Sequence, residues 1–542
     1  MKSKEKLSHF FFFLSFFKNK KILILAFILM LLSIILSILS PYYIKNLIDN
    51  AILKDDFNKT VQFCLLIILI NLVASLISYL ENFLSIKISN DYNYYFKQKF
   101  IEKLFSISYY SIKNMTFGGI LTLFEKDIGQ ITAFNQTVIF GILTNLFHML
   151  GLLFFLYCLN YKVALLTIFS LFIYFLIIRS TYKCIDKVSR LIRKKSIDIN
   201  AFIYDRFLNI LYIKFLTREQ NELLIYNKKY NDYLKSYYKI SIFTLIIDNF
   251  KSFAGFIGSI LIILYGSYLM IKKEMTIGEL LAINSLFISI YTPASFLINL
   301  KLNYHKNAVS FERIIGFFKI DEENNTSESI DKIDDIIINN LSFGFEKDSL
   351  ILKNLSFNFQ KGKINLLKGD NGSGKSTLCY LLLGFYSELI NPMQILINSK
   401  DVKNINIKSL RNKITLLPQK VEILSGTIEN FITTEDKFDE KILKVREYEI
   451  DDLILKKGKL FEIKRNGENL SGGEKQRLYL AAILASNYDF YIFDEFESSQ
   501  DYINKNKLKN IVLKLKNNNK GIIIVTHNNE FDIIADNILC LN

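Results

Sequence analysis

The chain has 542 residues, 51% of them hydrophobic, and carries 67 Lys and Arg against 52 Asp and Glu, a formal charge of +15. With 47 Phe, 30 Tyr and a positive mean hydropathy, the composition excludes a disordered or collagen-like chain and argues against a purely soluble one. Five scattered cysteines (Cys64, Cys158, Cys184, Cys379 and Cys540), with no CxxC pair, exclude a disulfide framework or a cysteine zinc site and fit a reducing compartment.

The charge is unevenly placed. From Asp331 onward 30 basic residues stand against 29 acidic ones, whereas residues 1–330 hold 37 against 23. The excess lies beside long apolar runs, as positive-inside loops do. A nucleic-acid partner would need a basic patch on a soluble domain, so none is expected.

In chain order, Lys2, Lys4, Lys6, Lys18, Lys20 and Lys21 precede the first apolar run and put the N-terminus on the cytoplasmic side. The Phe-rich stretch Phe10–Phe17 suits a short helix lying in the membrane interface. Six uncharged apolar runs follow: Ile22–Ser40, Val61–Leu80, Thr137–Leu159, Val163–Ile178, Ser252–Ile271 and Leu280–Leu300. A spanning helix needs about 20 apolar residues, with a lower limit near 17. Five runs meet this outright. Val163–Ile178 is short, but Lys162 and Arg179 can snorkel from its ends. The first run is too long for a signal-peptide core and no small-residue cleavage site follows, so it reads as uncleaved.

The connections alternate in length. The third-to-fourth connection is only Asn160, Tyr161 and Lys162, whereas long stretches follow the second and fourth runs. Arg179–Lys239 holds 14 basic and 6 acidic residues and falls on the cytoplasmic side. It reads as helical continuations of the neighbouring spans. Polar residues in or near the spans are few: Asn71, Asn145, His148, Asp248, Asn284 and Asn299. Cargo contact and helix–helix hydrogen bonding are both open to them. Beyond the last span, 306–335 is polar and acidic (Asp321, Glu322, Glu323, Glu328) and reads as a linker. From there short β-rich runs alternate with helices. The expected organisation is an all-α transmembrane domain of six spanning helices (1–305), the linker (306–335) and an α/β P-loop NTPase domain (336–542).

Three motifs in the last domain carry chemistry. Gly369-Asp370-Asn371-Gly372-Ser373-Gly374-Lys375-Ser376 follows the apolar run Ile364–Leu367 and opens a helix through Thr377. Glycines at this spacing let backbone amides wrap a phosphate, and the helix N-terminus adds positive potential. Lys375 is placed to reach the β- and γ-phosphates, and the Ser376 hydroxyl to ligate Mg²⁺. Phe490-Tyr491-Ile492-Phe493-Asp494-Glu495 is an apolar strand ending in two carboxylates. Downstream of a P-loop, Asp494 suits the metal and Glu495 suits a base that accepts a proton from attacking water. Leu470-Ser471-Gly472-Gly473-Glu474-Lys475-Gln476-Arg477 opens a helix just before that strand and supplies a second set of bare amides. A helix cap explains the Ser-Gly-Gly triplet alone. The longer run is far more specific.

Taken together, the chain resembles an ATP-binding cassette (ABC) exporter half-transporter over essentially its full length. Leu470–Arg477 is similar to the family's signature motif, Gly369–Ser376 to its Walker A and Phe490–Glu495 to its Walker B. The resemblance implies ATP at Gly369–Thr377, with Ser471, Gly472 and Gly473 touching the ATP of a second chain. Gln419 resembles the Q-loop glutamine that links Mg²⁺ to the membrane arms. His527 resembles the switch histidine that contacts the γ-phosphate. Phe345, in Asn340–Phe345, stands where the adenine-stacking aromatic sits, and Ser498–Asp501 occupies the D-loop place. Segments near Tyr109–Phe124 and Ser196–Phe207 are expected as coupling helices. One cassette per chain implies a dimer. Because Lys375, Glu495, Ser471 and His527 are all present, a homodimer is favoured, with a heterodimer left open.

The chain also departs from the family pattern. Phe345 replaces a Tyr, Phe496 a Pro and Gln500 a Leu, Arg465 stands where an acid is frequent, and little chain follows His527. The functional expectation is ATP-driven export or flipping across the cytoplasmic membrane by alternating access. The cargo classes are lipids or lipid-linked sugars, small peptides or siderophore-like compounds, and drugs, all hydrophobic or amphipathic. The alternative is an ATP-gated regulatory or channel-like membrane protein, against which the intact Glu495 and His527 weigh. A soluble ATPase acting on nucleic acid is opposed by the six spans.

Overall fold

A computed structural model describes residues 20–323, 328–346, 349–433, 437–495, 502–527 and 529–541. The Phe10–Phe17 stretch, Phe496 and the Ser498–Asp501 segment lie outside the described residues. The chain divides into two compact units, Met1–Glu102 with Phe117–Lys319, and Lys103–Thr116 with Ile320–Asn542.

The first unit is helical. Its long helices are α1 (Lys20–Asn50), α2 (Phe57–Ser106), α3 (Ile128–Leu159), α4 (Tyr161–Leu208), α5 (Glu219–Ile271) and α6 (Ile277–Phe318). Each of the six apolar runs lies in one of them. Five helices among the described residues are long and apolar enough to cross a membrane, and the apolar helix Tyr161–Leu176 is shorter. Leu65, Leu69, Phe154 and Phe169 stay exposed on these helices, as side chains facing lipid would. Helix α2 has 50 residues, about 75 Å at 1.5 Å per residue. A bilayer core is about 30 Å thick, so α2, α4 and α5 run well past it.

Local chemistry sets the helix starts. Asn160 Oδ1 accepts from the amides of Lys162 (3.1 Å) and Val163 (3.3 Å) and caps α4. Thr276 and Glu279 form a reciprocal capping box at the start of α6. Lys45 pairs with Glu279 at 2.8 Å, and Asp49 accepts from the Gly278 amide at 3.0 Å. A side chain at Gly278 would meet the Lys45 carbonyl at 2.5 Å, so only glycine fits this close approach.

Packing then follows small residues and polar bridges. Gly258 and Gly266 on α5 leave room for Phe287 and Leu280 of α6; an added Cβ would meet each at 2.4 Å. Asn71 donates to Ser40 Oγ at 3.2 Å, His148 Nε2 lies 3.2 Å from Ser37 Oγ, and Ser259 donates to Asn284 at 2.6 Å. These three polar residues therefore tie helices together. Asn145 bonds the Gly141 carbonyl of its own helix. The Asn299 side chain lies outside the described residues.

Helix α6 continues to Phe318, through the start of the segment whose composition reads as linker. Phe311, Ile314 and Phe317 recur at helical spacing and are all buried. Phe317 stacks on Phe100 with centroids 4.1 Å apart. Nearby, the fully buried Asp127 accepts from Ser310 (2.7 Å) and Arg313 (2.9 Å).

The second unit carries the sheets. Strands β1 (Asp335–Phe343), β2 (Leu352–Gln360), β3 (Ile364–Gly369), β4 (Ile395–Ile397), β5 (Lys400–Asp401), β6 (Ile414–Leu417), β7 (Gly426–Thr427), β8 (Glu462–Ile463), β9 (Phe490–Asp494), β10 (Gly521–Val525) and β11 (Asn537–Leu541) appear in chain order. An antiparallel sheet runs β2-β1-β4-β5, and a parallel sheet runs β11-β3-β10-β9-β6. The strands β9 and β10 are buried at every residue and apolar except for Asp494 at the end of β9, as central parallel strands covered on both faces must be. Side chains alternate between the faces. Ile522, Ile524, Tyr491 and Phe493 join one core, while Ile523, Val525, Phe490 and Ile492 join the other. Helices α7 (Lys375–Leu382), α8 (Gly472–Leu484) and α9 (Tyr502–Asn517) pack on these faces.

Phe317→Ala removes a buried, stacked ring and should cost about 3–5 kcal/mol. A thermal scan of the full chain in nanodiscs should show a clearly lower midpoint; an unchanged midpoint would show that the α6 extension is not held by this contact.

Candidate functional site

The parallel register brings three strand ends together. Val525 pairs with Leu367 on one side and with Asp494 on the other. The loop after β3, the acids at the end of β9 and the turn after β10 therefore leave the sheet side by side. Carboxyl ends of parallel strands are where such sheets bind ligands.

The loop after β3 is built for an anion. Gly369, Gly372 and Gly374 all have positive φ (152°, 89° and 94°). At Gly369 an added Cβ would lie 2.5 Å from the Leu541 carbonyl, so a side chain is sterically refused there as well. Lys375 is almost fully buried, and its ammonium donates to the carbonyls of Gly369 (2.8 Å) and Asp370 (3.0 Å). Ser373 Oγ is buried and makes no hydrogen bond. Gly374 immediately precedes α7, whose first turn holds Ser376 and Thr377. Asn371 and Gly372 are exposed at the tip. A buried ammonium, a hydroxyl in want of a partner and a helix N-terminus converge on one loop, and a phosphate satisfies all three.

The acidic side faces it. Ser376 Oγ donates to Asp494 Oδ2 at 2.9 Å. Burial, and then the neighbouring Glu495, raise the Asp494 carboxyl above its ordinary value against the pull of Ser376 and Lys375. Ser376, Asp494 and the Gln419 side-chain carbonyl are hard oxygen donors, and a divalent cation beside Asp494 would offset that burial cost. The residues present fit Mg²⁺.

Glu495 sits just past β9 in the left-handed region, with φ 46°. For a residue with a Cβ this costs about 1–3 kcal/mol and needs support from the surroundings. Its amide donates to the Val525 carbonyl at 3.0 Å. Its carboxylate accepts from Gln419 Nε2 at 2.5 Å and lies 3.2 Å from His527 Nε2. Gln419, Glu495 and His527 come from three different strand ends, and one carboxylate joins them.

Ser471 caps α8. Its Oγ accepts from the Glu474 amide (3.2 Å), and its own amide donates to Glu474 Oε2 (2.8 Å). That amide holds the Glu474 carboxyl below its ordinary value. Gly472 and Gly473 have nothing within 4 Å of where a Cβ would lie, so their backbone is open to a ligand. Phe345 is partly exposed, edge-on to Phe343 (5.2 Å) and Tyr386 (5.2 Å).

The contacts of Lys113 and Tyr386 with Phe345 follow from no motif. Lys113 Nζ lies 4.8 Å from the Phe345 ring centroid. The helix Tyr109–Lys113 that carries it belongs to this unit, with Tyr109 against Phe385 (4.9 Å), Tyr386 (5.8 Å) and Tyr380 (5.9 Å). The helix falls within the segment Tyr109–Phe124 expected as a coupling helix. Of the expected coupling segments, Tyr109–Phe124 is thus divided between the units, and Ser196–Phe207 lies within α4 of the helical unit.

Residues 23–294 match the family model of the ABC transporter transmembrane region, and residues 352–498 match the one described as ABC transporter. The chain is 24% identical over 536 residues to the pediocin PA-1 transport/processing ATP-binding protein of Pediococcus acidilactici, covering 97% of this chain and 74% of that one. It is 24% identical over 416 residues to the ATP-dependent lipid A-core flippase of Wigglesworthia glossinidia brevipalpis, covering 75% and 71%. Its fold matches a bacterial Atm1-family ABC exporter solved with ATP bound, with a TM-score of 0.84, 19% identity and coverage of 96% and 93%.

Glu495→Gln should retain ATP binding and lower the hydrolysis rate by about 10²–10⁴-fold, the usual contribution of a positioned base. Phe345→Ala should raise KM for ATP with little change in kcat, whereas Phe345→Tyr should not. Steady-state ATPase assays and equilibrium ATP binding read both; normal turnover in Glu495→Gln removes Glu495 from the role of base.

Proposed function

The chain belongs to the ABC transporter family, and on that footing we propose that it exports or flips an amphipathic or hydrophobic cargo across the cytoplasmic membrane. It is a multi-pass membrane protein that couples ATP hydrolysis to transport.

The observation that carries it is the shared carboxylate: Glu495 held by Gln419 and His527, one residue from the Ser376–Asp494 pair. Such a set suits water attack on a γ-phosphate. Glu495 accepts the proton of the attacking water as its oxygen bonds to phosphorus, and the bond to the ADP oxygen breaks. His527 orients Glu495 and reaches toward the phosphate. Lys375, now bonded to loop carbonyls, turns to the β- and γ-oxygens. Mg²⁺ held by Ser376, Asp494 and Gln419 would neutralise phosphate charge. The adenine stacks on Phe345. Ser471, Gly472 and Gly473 serve the ATP of a second copy, so the working unit is a homodimer.

A gate tolerates an incomplete hydrolytic set, and the intact Glu495 and His527 weigh against one. The alternating basic connections favour the N-terminus and cassette in the cytoplasm. Relatives named for pediocin transport and for lipid A-core flipping support an amphipathic cargo.

The ATPase rate in lipid nanodiscs, with Glu495→Gln as control, should rise with one class among lipids, peptides and lipophilic drugs. A rate indifferent to every class, in protein that hydrolyses ATP, would favour the gating alternative.

A further inference from the structure

The Phe345 ring stands on a closed turn. The Ile351 amide donates to the Phe343 carbonyl at 2.7 Å, and the Ser349 amide to the Glu346 carbonyl at 3.2 Å. At Gly344 an added Cβ would lie 2.2 Å from the Ser349 carbonyl, so the two arms of the turn touch there. Phe343 and Tyr386 stand at 82° and 83° to the ring and set its orientation.

Lys113 comes from a second element of the same unit. It ends the helix Tyr109–Lys113, whose Tyr109 and Tyr110 pack on Tyr386 at 5.8 and 6.5 Å. Its ammonium lies over the Phe345 ring, 4.8 Å from the centroid. The residue is exposed, and its stem is long and flexible.

Ring and cation read a base differently. A phenyl ring stacks on any base, because every base has a π-face. With Phe in place of Tyr, the ring brings no hydroxyl of its own. The ammonium has three donors and no acceptor. A base laid on Phe345 shares the ring with it, and the flexible stem lets the ammonium shift to the rim of the base. There guanine offers O6 and N7, two adjacent acceptors, whereas adenine offers N7 beside the N6 amino donor. Guanine satisfies the ammonium at both positions, and adenine sets donor against donor at one of them.

We propose that Lys113 reads the 6-position of the base and that the cassette takes guanine nucleotides as well as adenine ones, so that GTP is a second substrate of the same site. The inference deepens the nucleotide site and rests on Phe345 as the base-stacking ring.

The test measures kcat/KM for ATP, GTP and ITP with the full chain in nanodiscs. ITP keeps O6 and N7 but lacks the 2-amino group. GTP and ITP should both be hydrolysed with kcat/KM comparable to that for ATP. Lys113→Gln, whose amide suits adenine N6 and N7, should lower the GTP-to-ATP and ITP-to-ATP ratios about tenfold. Lys113→Arg should keep both ratios near wild type, since a guanidinium also takes O6 and N7. A packing role alone would lower all three nucleotides together in Lys113→Gln and leave the ratios in place, which overturns the proposal. GTP and ITP values far below that for ATP in the wild-type chain overturn it too. So does GTP accepted while ITP is refused, which would put the reading at the 2-amino group. Phe345→Ala separates the two readings. A KM raised for every nucleotide, beside ratios unmoved in Lys113→Gln, sinks the role of Lys113 and leaves the stacking ring. A KM unchanged for every nucleotide removes the ring and this inference with it, and leaves ATP-driven transport standing.

Discussion

The register of β10 between β3 and β9 is the constraint on which the cassette depends. Val525 faces Leu367 and Asp494 at once, so three loops start from one line. Buried apolar strands enforce this register, because a one-residue slip would turn every side chain into the wrong core. The two cores on either side of β9 and β10 accept alternate residues of the same strands. Given that alignment, the Lys375 loop, the Asp494–Glu495 acids and His527 have little freedom to be elsewhere. The left-handed backbone of Glu495 is then supported by the Val525 carbonyl, by Gln419 and by His527. Strain at the proposed base is held by the same elements that aim it.

The helical half obeys a different physics. Its long helices expose apolar residues along most of their length, so specificity comes from small residues and polar bridges rather than burial. Gly258 and Gly266 set how closely α5 meets α6. Asn71, His148 and Asn284 join pairs of helices. Outside the apolar spans, Lys195 binds Ser236 at 2.9 Å and Arg206 binds Glu222 at 2.8 Å, holding α4 against α5.

Helix Tyr109–Lys113 departs from chain order. It follows α2 in sequence, yet its contacts are with cassette residues, and Lys113 reaches the ring proposed to carry adenine. Tyr386 touches both Phe345 and Tyr109, so that ring and this helix share one aromatic cluster.

Architecture and cast are both legible in the residue order. Apolar run length names membrane helices because a bilayer has one thickness. Glycine and lysine spacing names a phosphate loop because few other residues let amides wrap an anion. Gln419, Glu495 and His527 could be named from their motifs, but their meeting at one carboxylate needed the parallel sheet, since they lie far apart in the chain. Composition read 306–335 as linker, and only packing revealed that Phe311, Ile314 and Phe317 extend α6 to Phe318. The contact of Lys113 with Phe345 was invisible for the same reason, as a cation over a ring leaves no spacing in the sequence. Local residue patterns specify elements and chemistry, whereas tertiary packing alone decides which of those chemistries touch.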